Sequence, residues 1–372
     1  MDPKVSFIVP CYNLGHLLSE CVNSILTQTY ENLELLIMDD CSSDQTPEVS
    51  QSFRDPRVRY LRNQANLGNI GNYNKGINLA RGQYVWLISA DDRLRRDYIL
   101  ARYVQLMGDY PEVGYVFCPA VAVQDNHETG LMTFTSPTPR DTIFNGLDFL
   151  QKLIDGNCVS APAAMVRKEC YERVSLFPSD MPYAGDWYLW CMFAFHYDVA
   201  YFAEPMVNRR LHARNLSKFF MTEGLRTYVA NMIEVPWHIK DKTEAAGYKS
   251  IAGKCKDAIV AEYVSEILAK QAQDQGPGLT LEEFEQCLRR HTRSRREESE
   301  IRARVHAGLG DHYCWQHDVA QAARHYAWAV REDPCMLSVY AKYALLHLGK
   351  IGVQLRARMG TMQRLAKAMK LR

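Results

Sequence analysis

Apolar positions in the first 120 residues of this chain follow two alternating rhythms. Mostly apolar runs at residues 5–9, 33–38, 58–61 and 84–90, each carrying a single polar residue (Ser6, Glu34, Arg59 and Ser89), have the length and β-branched or aromatic character of buried strands. Between them apolar residues recur at helical spacing: Leu17, Cys21, Ile25 and Leu26, then Ile70, Tyr73, Ile77 and Ala80 before Gly82. A further helix is expected from about Arg95 to Met107. Strands that read as continuous apolar runs are buried on both faces, so the pattern predicts an α/β fold with a mostly parallel sheet flanked by helices. Pro10 is expected to break the first strand.

The strand ends carry the candidate chemistry. The run from Tyr84 to Ala90 stops at two adjacent acids, Asp91 and Asp92. In open α/β sheets ligands bind outside the carboxyl ends of the strands. Two carboxylates there suit Mn²⁺ or Mg²⁺ and, through the metal, a diphosphate; they equally suit the cap of the next helix. The first strand leads into Pro10, Cys11, Tyr12 and Asn13 with no glycine before Gly15, which excludes the glycine-rich phosphate loop of dinucleotide-binding folds. Tyr12 offers a face for a stacked base, or a strand-end core residue. Asp40, at the end of the second strand, has the chemistry to accept the N3–H of uracil or thymine, while Asp44 and the neighbouring serines suit turn bonds.

Composition narrows the classes. At 372 residues the chain suits two or three domains, and 47% hydrophobic residues supply a sizeable core. Forty-four basic against 43 acidic residues leave a net charge of +1, which argues against nucleic acid as a partner. The 11 cysteines are scattered, with no Cys-x-x-Cys pair, as expected for thiols of a reducing compartment. No apolar stretch approaches the ~20 residues of a membrane span. A cytoplasmic protein is expected, peripheral at the inner face of the membrane if its tail binds lipid.

Past Met221 the pattern turns helical. A helix is expected through residues 258–270, an interruption at 275–278, and a new start at the capping-box sequence Thr280-Leu281-Glu282-Glu283. Residues 289–304, dense in both charge signs, read as one solvated helix face. Between His306 and Pro334 the chain resembles the 34-residue tetratricopeptide pattern, with Leu309-Gly310, Tyr313, Ala322, Tyr326 and Ala329 in place and His306 where the usual leading Trp stands. Gly310 and Ala322 would let two helices approach closely. The hairpin is either a docking module for a protein partner or structural. Residues 345–372 interleave leucines and methionines with basic residues, and from Cys335 to Arg372 there are eight basic and no acidic residues. Such a tail suits an anionic membrane surface or packing on the hairpin.

Residues 5–13, 33–44, 66–77 and 84–92, taken in order, resemble the nucleotide-binding half of the family 2 glycosyltransferases of GT-A fold. Two later pieces extend the resemblance to about residue 215: Gly185-Asp186-Trp187-Tyr188-Leu189-Trp190, and Arg210-Leu211-His212 with Asn215 and Ser217. The chain is thus expected to hold a transferase domain over residues 1–221, followed by a helical linker at 222–275 and a helical region at 279–372 that the apolar pattern predicts. It implies that Pro10, Tyr12, Asn13, Asp40, Asn66 and Asp91 contact the nucleotide. Asp91, Asp92 and His212 would hold the metal, Arg210 the diphosphate, and Asp186 would be the general base. On its own, Asp186 would also serve as the cap of the apolar helix that follows it.

Two positions depart from the family pattern: Ser89 stands where an acid is common, and Tyr73 where an Arg usually precedes Asn74. Arg62, Lys75 or Arg210 are candidates to replace that cation. One leaving-group site and one base imply inversion at the anomeric carbon. The donor would be a uridine- or thymidine-diphosphate sugar, and the acceptor a glycan, a lipid-linked sugar or a protein. The acceptor side is expected between Pro119 and Pro182, with residues 124–140 as a flexible rim. The Gln-x-x-Arg-Trp segment and spans of processive synthases are absent, which implies one sugar added per encounter. The alternative is a non-catalytic scaffold that presents the helical region to a partner.

Overall fold

The computed structural model describes residues 4–213, 215–272 and 278–346. The polypeptide divides into two compact units, Met1–Asn231 and Met232–Arg372. The first opens with β1 (Val5–Cys11), α1 (Gly15–Leu26), β2 (Leu33–Asp39), α2 (Thr46–Ser52), β3 (Val58–Arg62), α3 (Gly68–Leu79) and β4 (Tyr84–Leu87). It continues through β5 (Arg93–Leu94), α4 (Ile99–Asp109), β6 (Val113–Phe117), β7 (Ala120–Gln124), β8 (His127–Leu131) and β9 (Thr142–Phe144). Then come α5 (Gly146–Ile154), β10 (Ala164–Arg167), α6 (Lys168–Arg173), α7 (Gly185–His196), β11 (Asp198–Tyr201), β12 (Val207–Arg210) and α8 (Leu216–Thr222).

Eight strands form one mixed sheet in the order β3-β2-β1-β4-β10-β6-β11-β9, and β5-β12-β7-β8 form a smaller one. All seven residues of β1 and of β2 are buried, as their apolar runs require. β1 pairs in parallel with β2 on one side and β4 on the other. The chain therefore reverses its direction of progress across the sheet at β1, and the crevice opens where Tyr12, Asp40 and Asp91 emerge. A column of rings beneath it fixes β4: Phe7 stacks on Trp86 at 5.2 Å between centroids, and Trp86 on Tyr103 at 4.9 Å. The Trp86 indole N–H donates to the Pro162 carbonyl at 2.9 Å.

Several expectations are corrected. Pro10 does not break β1, because the β1–β4 register ends at Ile8 and Leu87, so its missing N–H falls past that ladder. The Pro10 carbonyl still accepts from Ala90 N–H at 3.2 Å. α4 starts at Ile99, later than expected, because Arg93 and Leu94 are drawn into β5 opposite β12. Asp91 and Asp92 therefore cap no helix. Residues 124–140 are not a plain loop: β7 and β8 form a hairpin whose turn residues Asp125 and Asn126 have φ of 48° and 65°.

The second unit holds most of α9 (Leu225–Ala245), then α10 (Lys249–Ala272), α11 (Leu281–His291), α12 (Arg295–Trp315), α13 (Val319–Glu332) and α14 (Leu337–Leu346). The capping box forms as its sequence requires: Thr280 Oγ1 accepts from Glu283 N–H, and Glu283 Oε2 accepts from Thr280 N–H. Residues 289–304 are not one solvated face. Ser294 caps a new helix there, and Ile301 and Ala303 are fully buried. Arg302 lies under three carboxylates, those of Glu285, Glu298 and Glu332. α12 and α13 form a hairpin in which a Cβ on Gly310 would sit 2.7 Å from the Tyr326 ring. That distance is the mechanical reason for a glycine at this position. The basic tail lies almost entirely outside the described residues. Among the described residues no helix is long and apolar enough to cross a membrane.

Gly146 is the tightest joint of the first unit. Its N–H donates to Asp198 Oδ1, and a Cβ would lie 2.1 Å from the Tyr197 carbonyl oxygen and 2.3 Å from that of Ala194. Gly146→Ala should therefore cost at least about 2 kcal/mol, because the colliding atoms are backbone and have little room to give. Urea unfolding should show the loss as a lower midpoint at unchanged slope. An unchanged midpoint would contradict this packing of α5 on α7 and β11.

Candidate active site

The carboxyl ends of β1 and β2 are stitched together by short polar contacts. Asp40 N–H donates to the Cys11 carbonyl at 2.9 Å. Asn13, at φ 55°, accepts from Ser43 N–H through Oδ1 at 2.8 Å, and its own N–H donates to Ser42 Oγ at 3.0 Å. Asp40 is buried, and its Oδ1 accepts from Asn63 Nδ2 and Leu67 N–H, each at 2.8 Å. Its Oδ2 is left for another donor. The Tyr12 ring stands beside this cluster and is 52% exposed, so it is not a core residue. Asn66 is exposed and spends its side-chain oxygen on Gly68 N–H at the start of α3.

The acid pair lies one strand over. Asp91 Oδ2 is bonded to His212 Nε2 at 3.0 Å and accepts from Asn215 Nδ2 at 3.2 Å. Its Oδ1 is buried and has no hydrogen-bond partner among the described residues. Asp92 is buried and accepts from Arg210 N–H through Oδ1 at 2.9 Å. Burial pushes the Asp91 pKa up, but the His212 and Ser89 side chains outweigh it and hold the group below the usual carboxylate range. Asp92 goes the other way. Burial first, and then the charge on Asp91, raise it well above that range.

The charged residues near this pair are placed differently from expectation. Arg210 is a strut. Its guanidinium donates to the Asp91 carbonyl at 3.1 Å, to Asn126 Oδ1 at 2.6 Å and to Glu20. Arg62 turns to Asp39 and the Ser42 carbonyl, and Lys75 to Asn63 Oδ1 at 2.7 Å. Arg209 is the cation left open. It makes one 3.4 Å contact to Ser217 Oγ and no ion pair among the described residues, and its charge lowers the pKa of both Asp92 and Asp186. Alternation along β12 was the signal that could have found it, since consecutive strand residues point to opposite faces.

Asp186 sits in the first turn of α7, one residue past Gly185, so it is not the cap. Its Oδ1 accepts from Trp187 N–H at 2.6 Å, and Asn157 Nδ2 approaches Oδ2 at 3.5 Å. The segment leading into α7 is pinned by Asn231, whose Oδ1 accepts from Tyr183 N–H and Ala184 N–H. Burial raises the Asp186 pKa to about 6 against the pull of Trp187 N–H and Arg209. Tyr73 ties the parts into one site. Its phenol is raised by burial and then by the charges of Asp91, Asp186 and Asp92, and its ring meets Phe177 edge-on at 5.4 Å. Sequence reasoning missed Arg209, Asn157 and Asn231, none of which belongs to a recognisable motif.

This arrangement can take a proton at Asp186, offer hard oxygen donors at Asp91 and Asp92, and hold a planar ring near Tyr12 and Asp40. The Glycosyl transferase family 2 model matches residues 6–175. An uncharacterized glycosyltransferase of Haemophilus influenzae is 30% identical over 237 residues, 60% of this chain and 71% of its own length. The glycosyltransferase GlyG of Streptococcus pneumoniae is 38% identical over 108 residues, 28% of this chain. The match spans about a third (36%) of the length of GlyG. The crystal structure of S. aureus TarS residues 1–349 with UDP-GlcNAc has the same fold, with a TM-score of 0.58 at 14% identity, covering 89% of this chain and 92% of that one.

The raised Asp186 pKa has a consequence for stability. A carboxyl that titrates near 6 when folded and near 3.8 when unfolded favours folding below about 3.8, and this advantage is lost as pH rises through 6. Asp186→Asn should match wild type in melting temperature near pH 4 and exceed it at pH 7.5, where the gain in stability is about 3 kcal/mol. Melting curves from pH 4 to 8 check this. A variant no more stable than wild type at pH 7.5 would refute the environment assigned to Asp186.

Proposed function

This chain belongs to glycosyl transferase family 2, and we propose that it transfers one sugar from a uridine- or thymidine-diphosphate sugar to a hydroxyl acceptor, with inversion. The observation that carries this reading is Asp186. It is a carboxylate with a pKa near the working range of a general base, and it shares Tyr73 and Arg209 as neighbours with the Asp91–Asp92 pair. Asp186 takes the proton of the attacking hydroxyl as the anomeric C–O bond opens on the opposite face. Oδ2 of Asp40 accepts the N3–H of the base, and the Tyr12 ring stacks on it. Asn13 holds the two strand ends at the spacing that this contact needs, and Pro10 lies just before them within β1. Arg209, in place of Arg210, faces the leaving diphosphate.

A divalent cation, Mn²⁺ or Mg²⁺, fits the remaining donors. Asp91 Oδ1 is buried without a partner among the described residues, and Asp92 is disfavoured as an anion by burial and then by the charge beside it. Among the described residues no three His, Cys, Asp or Glu side chains converge as ligands, so diphosphate and water oxygens would complete the shell. His212, bonded to Asp91 through Nε2, orients that carboxylate. Bound there, the cation would offset the negative charge that develops on the leaving diphosphate. The acceptor is a glycan, a lipid-linked sugar or a protein.

Two measurements test the reading. Asp186→Asn should lower transfer by roughly 10²–10⁴-fold, the range of general-base catalysis, with nucleotide affinity nearly unchanged. Wild-type turnover would sink the base assignment. Asp92→Ala should abolish the Mn²⁺-dependent part of nucleotide affinity in calorimetry, and an unchanged metal dependence would refute the role of the pair. Failure of wild-type protein to hydrolyse or transfer any of a panel of nucleotide sugars would favour a non-catalytic scaffold.

A further inference from the structure

The helical unit holds a cavity of about 390 Å³ where α11, α12 and α13 meet, and sugar transfer gives it no task. One wall is Trp328, whose ring is 47% exposed and whose N–H makes no hydrogen bond to a described residue. His306 lies behind it at 5% exposure, edge-on to Trp328 with centroids 4.8 Å apart. The His306 Nδ1 is bonded to His325 Nδ1 at 3.0 Å, which leaves Nε2 for a ligand. Burial and then His325 lower the His306 pKa to about 4, so the imidazole is neutral at pH 7. At the rim Arg331 and Glu282 form no ion pair among the described residues. The Arg302 guanidinium is held rigid by Glu285 at 2.7 and 2.8 Å and Glu332 at 3.0 Å.

His306 occupies the position where the tetratricopeptide pattern usually carries Trp. The smaller ring leaves room in the cavity that an indole would occupy. The chemistry around that room selects its occupant. Three carboxylates (Glu282, Glu285 and Glu332) outnumber two guanidinium groups, so an anion is disfavoured. One open aromatic face does not make the cage that a quaternary ammonium requires. A half-exposed indole, a neutral imidazole nitrogen and fixed carboxylate and guanidinium groups suit a molecule with an apolar face and several hydroxyls on its edge. A pyranose has that form.

We propose that this cavity is a saccharide site that takes one or two neutral sugar residues of a glycan. Its residues all belong to the helical unit, and its test reads binding, so a failed transfer assay would leave the result standing. The test is saturation-transfer NMR on the full-length protein with maltotriose, cellotriose, chitotriose and mannotriose, in the presence of UDP and Mn²⁺ to fill the donor site. At least one trisaccharide should bind, with transfer strongest at ring C–H protons. Trp328→Ala should weaken it at least tenfold while leaving nucleotide-sugar hydrolysis intact, and His306→Trp, which fills the cavity, should do the same. Binding undiminished by Trp328→Ala would overturn the proposal. So would binding of none of the four, or a stronger response to trigalacturonic acid than to every neutral trisaccharide.

Discussion

The site is governed by an excess of buried negative charge. Asp91 and Asp92 are adjacent in sequence and both largely buried, and Asp186 comes to the same place from a different element. Asp91 and Asp92, adjacent and largely buried, cannot both ionise without help. The protein divides the burden by giving each carboxyl a different environment. Asp91 receives His212 and Asn215 and is held as an anion. Asp92 receives one backbone N–H and is pushed toward its neutral form. Asp186, with one backbone N–H and a distant guanidinium, is left near 6. Three acids with three proton affinities thus stand in one site: Asp91 held as an anion, Asp92 pushed toward its neutral form and Asp186 near 6.

The same constraint explains the two arginines of β12. Arg210 is tied to Glu20 and Asn126, and its backbone N–H holds Asp92. Arg209, on the opposite face of the strand, keeps its charge for the site. The motif that contains Arg210 and His212 was legible because its residue types recur in the family. The division of labour between Arg209 and Arg210 was not, because it depends on Glu20, a residue of α1 far away in sequence. Local patterns did fix local outcomes: the capping box at Thr280 follows from a partner three residues away. The errors arose from long-range pairing. β5 exists only because β12 passes beside Arg93 and Leu94, and the displacement of α4 follows from that. Pro10 survives inside a strand because its partner ladder ends two residues earlier.

Ser89 and Tyr73 looked at first like two separate losses from the family pattern, one of an acid and one of a cation. In the site they offset each other. Removing an acid beside Asp91 lowers the negative charge by one, and removing a guanidinium near the same carboxylates lowers the positive charge by one. Tyr73 keeps the volume and the buried position while contributing no charge, and its ring is braced by Phe177. Restoring one residue alone would therefore change the charge around Asp91 and Asp92 by one, and restoring both would leave the net charge as it stands. The charge balance of the site, more than the identity of any one of these residues, is the property on which the proposed chemistry depends. That balance is set by side chains from β4, α3, α7 and β12, which is why neither the Asp91–Asp92 pair nor Asp186 can be read in isolation.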